Sequence, residues 1–161
     1  MPFAPELTTL GYITSPDRTR VLLCHRVARS HDEQLGKYNG LGGKVERGED
    51  VAEAMRRELR EEANIEVTEM ELRGTVAWPG FNGRDVFGFV FLITGFTGSI
   101  PDSNVEGDLG WHDVATMMEL PMWDGDRHFL PLVFDDGPQF HGVIPYDGGH
   151  SVGWKVSRGA G

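Results

Sequence analysis

The spacing of apolar and polar positions changes along the chain, and each change predicts an element. Leu7–Thr14 and Arg20–Arg26 read as two strands parted by the turn signal Ser15-Pro16-Asp17. His31–Gly43 is polar and glycine-rich and reads as a loop. From Glu49 to Ala63 the chain has no Gly or Pro and consists mostly of strong helix formers, which predicts a helix. Ile65–Val67, Leu72–Trp78 and Val86–Thr94 read as strands, with Phe81-Asn82-Gly83-Arg84 turning between the last two. Gly110–Val114 predicts a short strand, and Asp126–Phe134 a helix with Pro131 inside it. Phe140–Tyr146 and Ser151–Val156, joined through Asp147-Gly148-Gly149, predict a hairpin. Strands on both sides of a helix, with hairpins, predict one α/β (α+β) domain with a mixed sheet over residues 1–161.

Composition narrows the function classes. The 25 acidic against 15 basic residues give a net charge of −10, which argues against a nucleic-acid or membrane-surface binder. A small phosphorylated substrate stays compatible with that charge if cations bridge the two anions. The single cysteine, Cys24, excludes an internal disulfide and a cysteine metal cage, and its apolar run Val21–Cys24 predicts a small buried side chain. The longest apolar stretch, near Phe87–Ile93, is far short of a membrane span. The N-terminal segment has no basic region followed by an apolar one. The expectation is a soluble, cytoplasmic protein, with oligomeric state open.

The predicted helix carries the densest chemistry. Glu58, Glu61 and Glu62 lie at i, i+3 and i+4 and therefore share one helix face. One reading is a solvated face on which Arg57 pairs with Glu53 and Glu61. The other is an oxygen-only ligand set for a hard cation, Mg²⁺ or Mn²⁺. Just upstream, Gly40-Leu41-Gly42-Gly43-Lys44 invites a phosphate-loop reading, but the glycine spacing is wrong and Val45 stands where Ser or Thr would bind metal.

What remains is Gly43, Glu49, Arg57, Glu58, Leu59, Glu61, Glu62, Asn64 and Ile65 at fixed intervals. This resembles the box of the Nudix hydrolases, G-x5-E-x7-R-E-U-x-E-E-x-G-U with U aliphatic, in all fixed positions but one. Asn64 replaces the last glycine, and Asn is the next-best residue for a left-handed helix exit. The resemblance implies the Nudix fold, a mixed sheet sandwiched between helices. It also implies metal-dependent cleavage of a nucleoside diphosphate linked to another group. By position, Glu58, Glu61, Glu62 and the Gly43 carbonyl are implied metal ligands, and Arg57 is implied to orient Glu49.

Beyond the box, Tyr38–Glu46, Pro121-Met122-Trp123, Asp126, Pro131-Leu132 and Phe140-His141-Gly142 resemble the oxidised-purine nucleoside triphosphatases and their bacterial 8-oxo-dGTP diphosphatase relatives. This subgroup implies hydrolysis of a modified purine nucleoside triphosphate to monophosphate and pyrophosphate, which removes damaged nucleotides from the pool. Thr9, Asn39, Lys44, Trp123 and Asp126 become substrate-binding candidates. Glu106 becomes a further metal ligand or base, alongside Arg57, Glu58, Glu61 and Glu62 in the catalytic set. The subgroup's acidic pair is incomplete here, because Gly125 occupies the first place and Asp124 lies one residue earlier. Alternatives stay open at several positions. Asp124 and Asp126 also suit a helix cap, Trp123 an ordinary core site, Thr9 an edge strand and Glu106 a solvated loop. An ADP-ribose or nucleotide-sugar pyrophosphatase, suggested by Pro79, and a non-catalytic Nudix-fold sensor are the competing functions.

Overall fold

The computed structural model describes residues 1–159. Its strands are β1 (Glu6–Thr14), β2 (Arg20–His25), β3 (Tyr38–Asn39), β4 (Ile65–Phe81), β5 (Arg84–Gly98), β6 (Asp108–Asp113), β7 (Phe140–Val143), β8 (Tyr146–Asp147), β9 (His150–Ser151) and β10 (Lys155–Arg158). The helices are α1 (Val51–Ala63) and α2 (Asp126–Phe134). Seven strands follow one another across the large mixed sheet in the order β10-β7-β4-β5-β1-β2-β3, and β6 pairs with β2 to make eight. Strands β8 and β9 form a separate two-stranded hairpin.

Alternation along the central strands divides the core into two layers. Tyr12, Leu23, Val90 and Leu92 face α2 and share a core layer with its Phe129 and with Phe140 of β7. Ile13, Leu22, Phe91 and Ile93 face α1, where they meet Met55 and Leu59. A period of two sends neighbouring side chains to opposite faces, so adjacent apolar residues require a covering helix on each side. Cys24 is buried in the α1 layer, and burial pushes its thiol up to about 11, which keeps it unreactive.

Three expectations need correction. First, the helix starts at Val51 rather than Glu49, because the Asp50 side chain accepts the Glu53 amide as the cap at 2.8 Å. Second, the runs Ile65–Val67 and Leu72–Trp78 belong to one strand, β4. Register shifts between Val67 and Glu69, Glu69 and Met70, and Leu72 and Gly74 break its alternation and hide its continuity in the sequence. Third, the C-terminal hairpin is two nested pairs. Strand β7 pairs with β10, while the chain turns away at Ile144-Pro145 to form β8–β9 around Gly148-Gly149. The β4–β5 turn falls at Asn82-Gly83, both at positive φ (50° and 78°), as the Asn-Gly signal predicts.

The glycine-rich segment is more ordered than a loop. Strand β1 pairs with β5 along Glu6–Ile13 but meets β2 only at Ile13 and Thr14. Residues 41–45 cover the rest of its free edge, through Gly11 N–H to the Leu41 carbonyl (2.6 Å), Thr9 N–H to the Gly43 carbonyl (2.8 Å) and Val45 N–H to the Leu7 carbonyl (3.0 Å). Thr9 is therefore interior rather than on an exposed edge.

Candidate active site

Gly42 and Gly43 line one of two clefts and touch acids that line the other, Glu62 and Glu58. A β-carbon at Gly42 would collide with the Thr9 carbonyl, and one at Gly43 would collide with the Glu58 carboxylate. At Gly42 only glycine lets this segment lie against the β1 backbone, while at Gly43 a side chain would displace the Glu58 carboxylate.

On the α1 side, Glu58, Glu61, Glu62, Asn64, Asn104 and Glu106 line one open cleft. Glu106 therefore joins the helix carboxylates, although it arrives from the loop before β6. Glu58 is 13% exposed and Glu61 60%, so only Glu61 fits a solvated face. Glu62 accepts the Gly42 amide at 3.0 Å. Burial, then the charges of Glu106 and Glu58, push the Glu62 carboxyl up to about 8. Burial also raises Glu58, against the lowering effect of Arg57.

Arg57 organises this face. Its guanidinium grips Glu49 at 2.8 and 3.0 Å, Glu58 at 2.9 Å and Glu61 at 3.3 Å, and donates to the Lys44 carbonyl at 3.0 Å. Arg57 thus pairs with Glu49, and among the described residues it makes no bond to Glu53. Asn64 closes the helix at φ 57°, ψ 41°, the left-handed exit expected of the residue that replaces glycine, and donates its backbone N–H to the Arg60 carbonyl at 3.1 Å.

Among the described residues no three acidic or imidazole groups already converge as a metal cage. The Gly43 carbonyl accepts both the amide and the hydroxyl of Thr9, at 2.8 and 3.4 Å. The donor chemistry nevertheless fits a hard divalent cation. The four carboxylates share one cleft, and Glu58 and Glu62, both half-buried, are destabilised as anions by burial and by the neighbouring carboxylates.

The second cleft, about 210 Å³, lies between β1, the glycine segment and the chain around Trp123. Thr9, Asn39, Lys44, Trp123 and Asp126 all line it, as do Trp78 and Phe81. Asn39 Nδ2 is buried without a hydrogen-bond partner. Asp126 is buried at the first turn of α2 and makes no side-chain capping bond; the cap position is Gly125. Burial, unrelieved by any hydrogen bond among the described residues, pushes the Asp126 carboxyl up to about 7. Asp124 is not a cap either, because its carboxylate accepts the Ser151 amide at 3.1 Å. Trp123 is 7% exposed within the core layer and also walls the cleft. Lys44 is largely exposed and lies 3.6 Å from Glu6.

The sequence reading missed Arg26 and Gln34. Arg26 bridges Asp32 at 2.8 Å and Glu106 at 3.1 Å, and lines the second cleft. Gln34 accepts the Trp123 indole N–H at 3.4 Å. Neither belongs to a spaced motif; the only signal for Arg26 is a cation at the end of an apolar strand.

Comparison with known proteins agrees with this architecture. The model of the NUDIX domain matches residues 5–133. A Bacillus subtilis protein named uncharacterized Nudix hydrolase YvcI is 34% identical over 109 residues, covering 65% of this chain and 69% of its own length. The oxidized purine nucleoside triphosphate hydrolase of Danio rerio is 27% identical over 151 residues, 93% of this chain and 92% of that protein. The crystal structure of a MutT protein from Bacillus halodurans superposes with a TM-score of 0.83 at 26% identity, covering 94% of this chain and 97% of that one. With the box residues on α1 and the sheet held between two helices, the chain belongs to the Nudix hydrolase family, whose members act on nucleoside diphosphate-linked substrates.

Proposed function

We propose that the protein hydrolyses a modified purine nucleoside triphosphate, such as 8-oxo-dGTP, to the monophosphate and pyrophosphate with Mg²⁺ or Mn²⁺. The observation that carries this reading is that Gly42 and Gly43, which line the second cleft, also touch the acids of the first: Glu62 accepts the Gly42 amide, and Glu58 lies against Gly43. The first cleft bears the carboxylates, and the second bears Asn39 Nδ2, buried without a partner, and the Asp126 carboxyl, which makes no hydrogen bond among the described residues, beside Trp123. A ligand with a planar, hydrogen-bonding end and a polyphosphate end spans both. The near-full-length likeness to an oxidized purine nucleoside triphosphate hydrolase supports the same substrate class.

Nudix hydrolases generally use divalent metal ions, and here Glu58, Glu61, Glu62 and Glu106 would hold them. Bound there, such ions offset the repulsion between polyphosphate and carboxylates and acidify an attacking water. The chain's own residues do the rest. Arg57 holds Glu58 and Glu61 in place, and Arg26 holds Glu106. A carboxylate of this cluster takes the proton of the attacking water. Asn39 donates to an acceptor on the base edge, Asp126 pairs with a neighbouring edge atom, and Trp123 packs against the ring.

The test is kcat/KM for 8-oxo-dGTP, dGTP, dATP, dCTP and ADP-ribose with Mg²⁺, with products identified by chromatography. Highest efficiency on 8-oxo-dGTP with pyrophosphate release is expected. Preference for ADP-ribose transfers the protein to the pyrophosphatase reading, and the absence of any metal-dependent turnover transfers it to the sensor reading.

A further inference from the structure

The turn from Trp123 to Asp126 is held from outside by the β8–β9 hairpin, which lies beyond the residues matched by the family model. Tyr146 accepts the Gly125 amide on its hydroxyl at 3.0 Å. Its ring meets Phe81 edge-on at 5.0 Å and Trp123 at 5.9 Å, and both of those rings wall the aromatic cleft. Tyr146 itself is buried behind them. Gly125 has no room for a side chain, since a β-carbon would lie 2.6 Å from the Tyr146 hydroxyl and 2.8 Å from Ile144 Cγ2. The same hairpin draws Asp124 away from the cleft, through the Ser151 amide at 3.1 Å. Of the three consecutive residues Asp124-Gly125-Asp126, one acid is tied to the hairpin, the middle residue is denied a side chain, and the last acid lines the cleft.

We propose that Tyr146 is a specificity-determining positioning residue: its hydroxyl and ring set the Trp123–Asp126 turn so that Trp123 and Asp126 face the ligand while Asp124 is turned out. The inference rests on the reading of the aromatic cleft as the base pocket. The device is reciprocal, because the hydroxyl occupies the space a residue-125 side chain would need. The hairpin thereby sets how many carboxylates read the base, at a distance from the box that performs hydrolysis.

The experiment is Tyr146→Phe, which keeps the ring and deletes the hydroxyl, compared with wild type on 8-oxo-dGTP, dGTP, dATP, dCTP and ADP-ribose. The wild-type ranking tests the base-pocket reading by itself; a flat ranking across the four nucleoside triphosphates sinks it. The Tyr146 proposal is judged on the best wild-type substrate, whichever that is. Leaving the buried Gly125 N–H unpaired and the turn loose is expected to raise KM about 5- to 20-fold. The value of kcat should stay within about twofold, since the box is untouched. Gly125→Ala pushes the same peptide from the other side and is expected to raise KM likewise, which keeps the proposal open to refutation if Tyr146→Phe fails to fold. An unchanged KM in the folded variants, or a loss carried by kcat equally across the panel, overturns the proposal.

Discussion

The carboxylate cleft and the aromatic cleft are linked where Gly42 and Gly43 touch Glu62 and Glu58, but they are assembled in different ways. Three of the four acids in the first come from a single helix, at spacings that put them on one face whatever the rest of the chain does. The second draws Thr9 from β1, Asn39 from β3, Phe81 from the end of β4, Trp123 from the segment before α2 and Asp126 from the start of α2. The first is stabilised by local ion pairs around Arg57. The second depends on long-range packing, and it leaves Asn39 Nδ2 buried without a partner. A helix face tolerates change in distant loops. A pocket built from several elements retunes when any of them shifts, which suits it to substrate choice.

This contrast can be broken by mutation. The largest effect is expected on the helix face. Glu62→Gln keeps the shape but removes a charge, and kcat should fall about 10²-fold or more, with the base ranking unchanged. Chelation with EDTA should abolish turnover altogether and Mg²⁺ or Mn²⁺ restore it. Steady-state kinetics in both buffers checks this, and full turnover after chelation would remove the metal from the mechanism. The exposed Glu61 changed to Gln tests whether exposure matters; a rate near wild type would take it out of the cluster.

The next effect belongs to the aromatic cleft. Asn39→Ala or Asp126→Ala should lower kcat/KM for the preferred purine about 5- to 150-fold, and for dCTP much less. If the ranking is the same in both variants, the base is read elsewhere.

A third prediction uses the proton on Asp126. Its folded pKa of about 7 lies above the ordinary 3.8, so between those values the native state binds more protons than the unfolded one. Stability from this group therefore falls as pH rises through that window. Asp126→Asn removes the penalty. Its stability relative to wild type should increase from pH 4 to pH 8 by on the order of 2–4 kcal/mol and then level off. Denaturant melts at both pH values measure the difference, and a constant offset would show that Asp126 is charged without penalty.

The smallest effect is at the end of α1. Asn64 sits at φ 57°, so Asn64→Gly should leave stability within about 0.5 kcal/mol, while Asn64→Ala should cost about 1 kcal/mol. Neither should change the substrate ranking, because Asn64 does not line the aromatic cleft. A changed ranking would couple the two clefts through Ala63-Asn64.

The parts of the molecule legible in the sequence are those whose geometry is local. Helix α1, its exit at Asn64, the Asn82-Gly83 turn and the face shared by Glu58, Glu61 and Glu62 follow from 3.6-residue periodicity and from which residues adopt positive φ. The resemblance to the Nudix box is legible for the same reason, since it is a spacing on one loop and one helix. The hidden parts depend on register between distant segments. The bulges of β4 concealed a single strand as two runs. The β1 edge turned an apparent loop into a paired segment. Arg26, Gln34 and Tyr146 acquire their roles from neighbours 80, 89 and 21 positions away in the chain.

By itself, then, the sequence determined the helix, its carboxylate face and the family, because neighbours three or four residues apart meet in any helix. Only the tertiary structure decided that Asp126 lines the cleft while Asp124 does not, and that Glu106 joins the acids of α1. Burial and hydrogen-bond partners belong to the packed sheet, and no local spacing encodes which backbone amide will be free to claim which carboxylate.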